Sequence, residues 1–342
     1  MKTTKMSRRW QLAWLFTLVL LGAQSPIATN VDARSNAAPL HAPAPNGYGV
    51  FTYVPEYWQN PQTWNGVYRT LAYQKGYQVP YTASSPNIIL DFGRQALADS
   101  GNWAIYTIPE RARHSMTWVR NLAQDFIDGY NDNPNHPPAY VAIGTNNGNY
   151  DWLCNNNDAT QVSSLWNIAG YEWGKMVGSI TPRLKVTVKS ANDIEAWNGS
   201  FANNWQACGY GTLLWFDGYE RQTAIANYNF GDNAADASAQ WEMYEIYQVI
   251  WGRHTAWALP QVYCSGSHWA QSWVAVRKNY SFSFLGVTST NGQPGPAGCD
   301  NLSYTSSWTL LDNALKTPNS SIGYPGYPDS VQSNAVVWWR NP

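Results

Sequence analysis

Eight short, mostly apolar runs recur between Asn87 and Thr290, and each ends in turn-forming or polar residues. They are NIILDFG (87–93), WAIYTI (103–108), AYVAIGTNN (139–147), LKVTVKSANDIE (184–195), TAIANYNFGD (223–232), EIYQVIWG (245–252), ALPQVYC (258–264) and FSFLGVTST (282–290). Runs apolar on both faces suit parallel strands covered by helices on one side and by packed side chains on the other. Helical spacing fills several of the gaps. Met116, Val119, Leu122, Ala123, Phe126, Ile127 and Tyr130 share one helical stripe, as do Leu165, Ile168, Trp173, Met176, Val177 and Ile180. His268–Lys278 and Ser307–Leu315 read as two further helices.

This alternation predicts an α/β fold, a (β/α)8 TIM-like barrel, with an open doubly wound sheet as the competing architecture. Two connections are too short for a crossover helix: Arg94–Asn102 between the first and second runs, and Arg253–Trp257 between the sixth and seventh. The barrel is therefore expected to be irregular at its first and sixth crossovers.

The start of the chain reads as export machinery. Lys2, Lys5, Arg8 and Arg9 precede an apolar stretch, Leu12–Ala23, that is short for a bilayer span, and Ala28 or Ala33 offers a small residue for cleavage. Residues 1–33 are thus expected to be a signal peptide and 34–47 a Pro-rich leader. A single barrel domain follows over 48–316, and 317–342 form a C-terminal tail that packs on the domain or is flexible. No later run is long and apolar enough for a membrane span, so a secreted, extracellular location is expected. Loss of residues 1–33 removes four basic groups and Asp32, taking the formal charge from −1 to −4, which argues against a nucleic-acid partner.

Only 13% of residues are charged, whereas 20 Trp and 22 Tyr raise the aromatic share to 15%. A polar but uncharged surface rich in amides and aromatic rings suits a neutral, hydroxyl-rich carbohydrate, although Trp and Tyr also fill large cores. Export makes disulfides likelier than a metal cluster for Cys154, Cys208, Cys264 and Cys299. On a barrel, Cys154 with Cys208 and Cys264 with Cys299 would each join loops on one face. No metal site or cofactor is implied by the His and Cys spacing, no GxSxG, P-loop or GxGxxG occurs, and the sequence does not fix an oligomeric state.

Catalytic groups of such barrels come from strand C-termini. There Asp193 and Glu195 lie at i and i+2, on one face of a strand, with Cβ atoms roughly 6.5–7 Å apart. Glycosidases use one carboxyl as acid and another as nucleophile, base or charge stabiliser. Glu195 is the candidate acid, its proton affinity raised by Asp193, while Asp193, Asp91 and Asp232 compete for the second role. The plainer reading is a strand-end pair that caps a helix, and for Asp91 a buried carboxylate that holds a loop through backbone hydrogen bonds. Candidate substrate-binding residues are Asp91, Asn146, Asn147, Trp197, Asn229, Asp232, Trp251, Gln261 and Tyr263. Trp58, Trp64 and Trp152 are further possible platforms, or core tryptophans.

The set ILDFG, VAIGTNN, NDIEAWN, YNFGD and LPQVY, in order from about Ile88 to Thr290, resembles a family of secreted bacterial proteins that look like glycoside-hydrolase-type TIM barrels and have no established substrate. The resemblance implies the fold and the secreted location, not an activity. The fourth run is also partly similar to the Asp-x-Asp-x-Glu of chitinase-like enzymes, with Ala191 where the first Asp would stand, and to the DxE of lysozyme-like muramidases. The leading expectation is a hydrolase of a neutral polysaccharide or cell-wall glycan. A noncatalytic carbohydrate-binding or cell-envelope protein is the alternative, and a metal-dependent phosphodiester hydrolase using Asp193, Glu195 and Asp91 is a third reading.

Overall fold

A computed structural model describes residues 43–97, 102–107, 112–146, 159–194, 209–231, 241–265, 267–291, 301–327 and 331–339. In chain order, β1 (Gly49–Tyr53) is followed by the hairpin β2 (Pro61–Trp64) and β3 (Val67–Thr70), and by α1 (Leu71–Gln78). Next come β4 (Asn87–Leu97), β5 (Trp103–Tyr106), β6 (Arg113–Ser115), α2 (Met116–Asp132), β7 (Ala139–Asn146), α3 (Ala159–Gly178) and β8 (Val186–Asp193). The second half holds α4 (Gly209–Gln222), β9 (Asn227–Asn229), α5 (Met243–Tyr247) running into a π-helical turn (Gln248–Gly252), and β10 (Ala256–Ala258). It ends with α6 (Ser267–Asn279), β11 (Val287–Ser289), α7 (Tyr304–Lys316) and β12 (Ala335–Trp338).

Among the described residues eight strands form one parallel run in the order β10-β9-β8-β7-β4-β1-β12-β11. Isolated parallel bridges, Ala258 to Phe284 and Gln261 to Thr288, lie between the two ends of that run. The helices cover one face. There Ile88, Leu90, Val141, Ile143, Val186 and Val188 pack on Phe126, Ile127, Trp173 and Val177. The other face carries a smaller apolar cluster of Phe51, Ile89, Ala142, Ala191, Tyr228, Phe230, Leu259, Leu285 and Val336. Alternation of side chains along each strand separates the two layers, which is why Ile88 and Leu90 belong to one and Ile89 to the other.

Several sequence-based assignments need correction. WAIYTI is not a strand of the parallel run: β5 pairs antiparallel with β4 and with β6. EIYQVIWG is helical, through α5 and the π-helical turn, and buries Ile246, Val249 and Ile250. Those positions fall at i, i+3 and i+4, a helical spacing despite the β-branched residues. Both short connections are thereby explained, since in each case one flanking run is not a strand of the parallel run and no crossover helix is required. The two places in the eight are taken by β1 and β12. β12 lies in the expected tail and pairs in parallel with both β1 and β11, so the sheet does not end at Lys316.

Neighbouring helices approach closely at glycine pairs. A Cβ on Gly170 (α3) would stand 1.8 Å from the Trp215 carbonyl oxygen, and one on Gly218 (α4) 1.9 Å from that of Asn167. The α1–α2 contact repeats the device, with Gly76 against the Phe126 carbonyl and Gly129 against that of Tyr73. Hydrogen-bonded side-chain caps start α1, α2 and α7, where Thr70, Ser115 and Ser303 accept from the backbone amide three residues on.

Candidate active site

The residues that chemistry would need converge where the parallel strands end. β4 carries Asp91 on the same face as Ile89, and β8 carries Asp193 on the same face as Ala191, so both acids belong to the face turned away from the helices. One strand separates them. Asp91 pairs in register with Gly144 of β7, Gly144 with Ala191 of β8, and Asp193 with Asn146 one pleat further on. The row holding Asp91 therefore contains a glycine and an alanine as its next two members, and Asp193 stands over that side-chain-poor gap.

Asp91 is 1% exposed and Asp193 5%. Each has a defined donor. The Gly93 amide donates to Asp91 Oδ1 at 2.7 Å, and Gln261 Nε2 donates to Asp193 Oδ1 at 3.0 Å. Gly93 is able to do so because it adopts φ 95°, in the left-handed region, at a register shift of β4 between Asp91 and Arg94. Thr145 Oγ1 donates to the Gly93 carbonyl at 2.8 Å and pins the kink to β7. Beyond it β4 also pairs antiparallel with β5 while Arg94 stays in register with Asn146 of β7, and Arg94 stacks over the Tyr106 ring.

Burial pushes the Asp91 carboxyl well above the usual carboxylate range, and the charge of Asp193 pushes it the same way; the Gly93 amide opposes both. Both influences favour the protonated form of Asp91, which lies beside Asp193, the acid that accepts from Gln261. A group of this kind can donate a hydrogen bond or a proton where an ordinary aspartate cannot.

Of the other residues singled out from the sequence, Asn146 is buried in register with Asp193, and Tyr263 is buried two residues beyond Gln261. Asn229 is buried, and its side-chain oxygen accepts from the Gly231 amide, a turn contact just past β9. Trp251 sits in the π-helical turn that precedes β10, edge-on to Trp257, so it lies where β10 begins rather than where it ends. Trp58 is fully buried and stacks on Phe126, and Trp64 lies against Tyr77 beside the β2–β3 hairpin. Glu195, Asn147, Trp197 and Asp232 lie outside the described residues, as do Trp152, Cys154, Cys208 and Cys299. Cys264 is buried, and among the described residues there is no free cysteine. No group of His, Cys, Asp and Glu among the described residues has the arrangement of a metal site.

The closeness of Asp91 to Asp193 has no local signature, because it depends on β7 being the only strand between β4 and β8. LDFG did carry a hint: a glycine two residues after a strand-terminal acid is what a kink closed by the acid's own oxygen requires.

No protein-family model matches the chain, and no curated protein does. Among solved structures, a GH26 β-mannanase from Bacteroides ovatus is similar over 85% of this chain and 80% of that one, at 10% identity and a TM-score of 0.37.

Proposed function

We propose that the chain is an exported glycoside hydrolase acting on a neutral polysaccharide or cell-wall glycan, with Glu195 as general acid and Asp193 as the partner carboxylate. The eight strands close into a (β/α)8 barrel through the two bridges between β10 and β11. The signal peptide is removed, and the bridges Cys154–Cys208 and Cys264–Cys299 staple loops at the end that binds substrate. The observation that carries the reading is Asp193 itself, which ends a strand on the face away from the helices with Gln261 and a second acid beside it. Glu195 follows Asp193 at i+2 in the sequence, the spacing of residues that share a face in a β-strand. Asn146 and Tyr263 supply neutral polar groups for hydroxyls, and Trp197 a ring face.

The test is a panel of neutral and amino-sugar glycans incubated with the intact protein, with release of reducing ends as the readout. Glu195→Gln is expected to lower turnover by about 10²–10⁴ while leaving the thermal transition in place, the range lost with a general acid. Chelation is expected to leave turnover unchanged. Full turnover by Glu195→Gln removes this residue from the mechanism.

The deep burial of Asp91 and Asp193 favours one second reading, a glycan-binding protein without turnover. It gives saturable binding to one glycan of the panel and no reducing ends, and Glu195→Gln then leaves binding intact.

A further inference from the structure

Asp91 and Asp193 are both buried and come from strands with only β7 between them. We propose that Asp91 is a positioning residue of this site: it and Asp193 together carry a single proton across the gap at Gly144, with Asp91 neutral and Asp193 charged. The inference rests on the site just proposed and names the protonation state that prepares it.

Four observations support the assignment. The register sets Asp91 one pleat below Asp193 with a single strand between them. Gly144 and Ala191 fill the intervening row with almost no side chain, and a Cβ on Gly144 would already stand 3.5 Å from the Asp91 Cβ. Asp91 Oδ2 is buried with no hydrogen-bond partner among the described residues, a costly position for a charged oxygen and a tolerable one for a hydroxyl. Gln261 directs its side-chain N–H to Asp193 Oδ1, which favours the ionised form of that acid, whereas the donor to Asp91 is the Gly93 amide on Oδ1, which leaves Oδ2 for the proton.

Other titratable groups on this face do not neutralise Asp91. On β1 the group is Tyr53, in register with it; on β7 Tyr140; on β8 Asp193 and Lys189; on β9 Tyr228; and beyond β10 Tyr263. Lys189 lies over the Tyr140 ring, two residues below Ala191. On β4 itself, Arg94 is turned to Tyr106. Asp193 is the charge that acts on Asp91.

The consequence for Asp193 is direct. Two buried carboxylates that act on each other's charge oppose joint ionisation, so a neutral Asp91 favours the charged form of Asp193. An ionised Asp91 would force the proton onto Asp193 and remove the partner carboxylate.

The sign of a pH dependence tests this without any substrate. A carboxyl whose folded pKa is raised binds a proton in the folded state that the unfolded chain releases, so its contribution falls as pH rises from the ordinary aspartate value, about 3.9, toward its folded value. Unfolding of the intact protein by urea, followed between pH 4 and 8, is compared with Asp91→Asn, which keeps the acceptor for the Gly93 amide. The ratio of the wild-type to the variant unfolding constant is expected to rise about tenfold per pH unit across that window until Asp91 ionises. Asp193→Asn, which relieves the like charge, is expected to narrow the window, and it serves alone against wild type if Asp91→Asn does not fold. A ratio that is flat, or that falls with pH, marks Asp91 as an ordinary ionised loop-holding aspartate and overturns the proposal. Because no turnover is measured, that outcome is separate from a failure of Glu195→Gln to lower hydrolysis.

Discussion

A chain stopped after Lys316 is expected not to fold. The missing segment contains β12, which fills the place between β1 and β11, together with the buried side chains of Tyr324, Val331, Val336 and Val337. Full burial of side chains of this size stabilises by about 1.5–3 kcal/mol each, so the loss is about 6–12 kcal/mol before any broken backbone pairing is counted. Domains are typically stable by only about 5–15 kcal/mol. Removal also strips Trp339 from Trp58 and takes away the Gln332 carbonyl that receives the Trp308 indole N–H. Circular dichroism of the shortened chain should lack a cooperative thermal transition. A transition near the wild-type temperature would mean that β1 and β11 do not need the strand between them.

Gly170→Ala is expected to destabilise by ~3 kcal/mol, against a gain of about 1 kcal/mol that alanine usually brings to a helix interior. The new methyl would meet a backbone carbonyl at 1.8 Å, and a carbonyl in the middle of α4 cannot rotate aside as a side chain would. The helices must separate, and with them Trp166, Trp173, Trp215 and Tyr219 lose their packing. The expected fall in Tm is about 6–12 °C. Gly178→Ala, at the C-terminal end of the same helix, where an added Cβ would meet nothing within 4 Å, is the internal control and should hold or raise Tm. Equal effects from the two substitutions would show that helix propensity, not close approach, governs α3.

The alternation of strand and helix was legible because α2 and α3 bury long stripes at helical spacing and β4, β7 and β8 are continuous apolar runs. Glycine hid α4. Gly209, Gly211 and Gly218 depress helical propensity, yet Gly218 is required by the approach of α3. β12 was hidden by its context, a short apolar run after the GYPGYP turns, with nothing nearby in sequence to pair with. Asp193 nevertheless ends the fourth strand of the parallel run counted from β1, as the sequence reading had it. The ordinal agrees because β5, one of the apolar runs, stands outside the parallel run, while β1 precedes the first of those runs.

The site was legible to a smaller extent. Asp193 and Gln261 emerged as polar residues at the ends of apolar runs, which is a one-dimensional signal. That the acid next to Asp193 includes Asp91 is a property of strand order and of two small residues, Gly144 and Ala191, and no spacing along the chain encodes it.

Hydrogen bonding of β1 to β12 joins the earliest strand of the sheet to the one synthesised last. While the ribosome is still adding residues, Gly49–Tyr53 has one flank with no neighbour to accept it, and the sheet stays incomplete. Long-range closure of this kind is slow and comes late in folding.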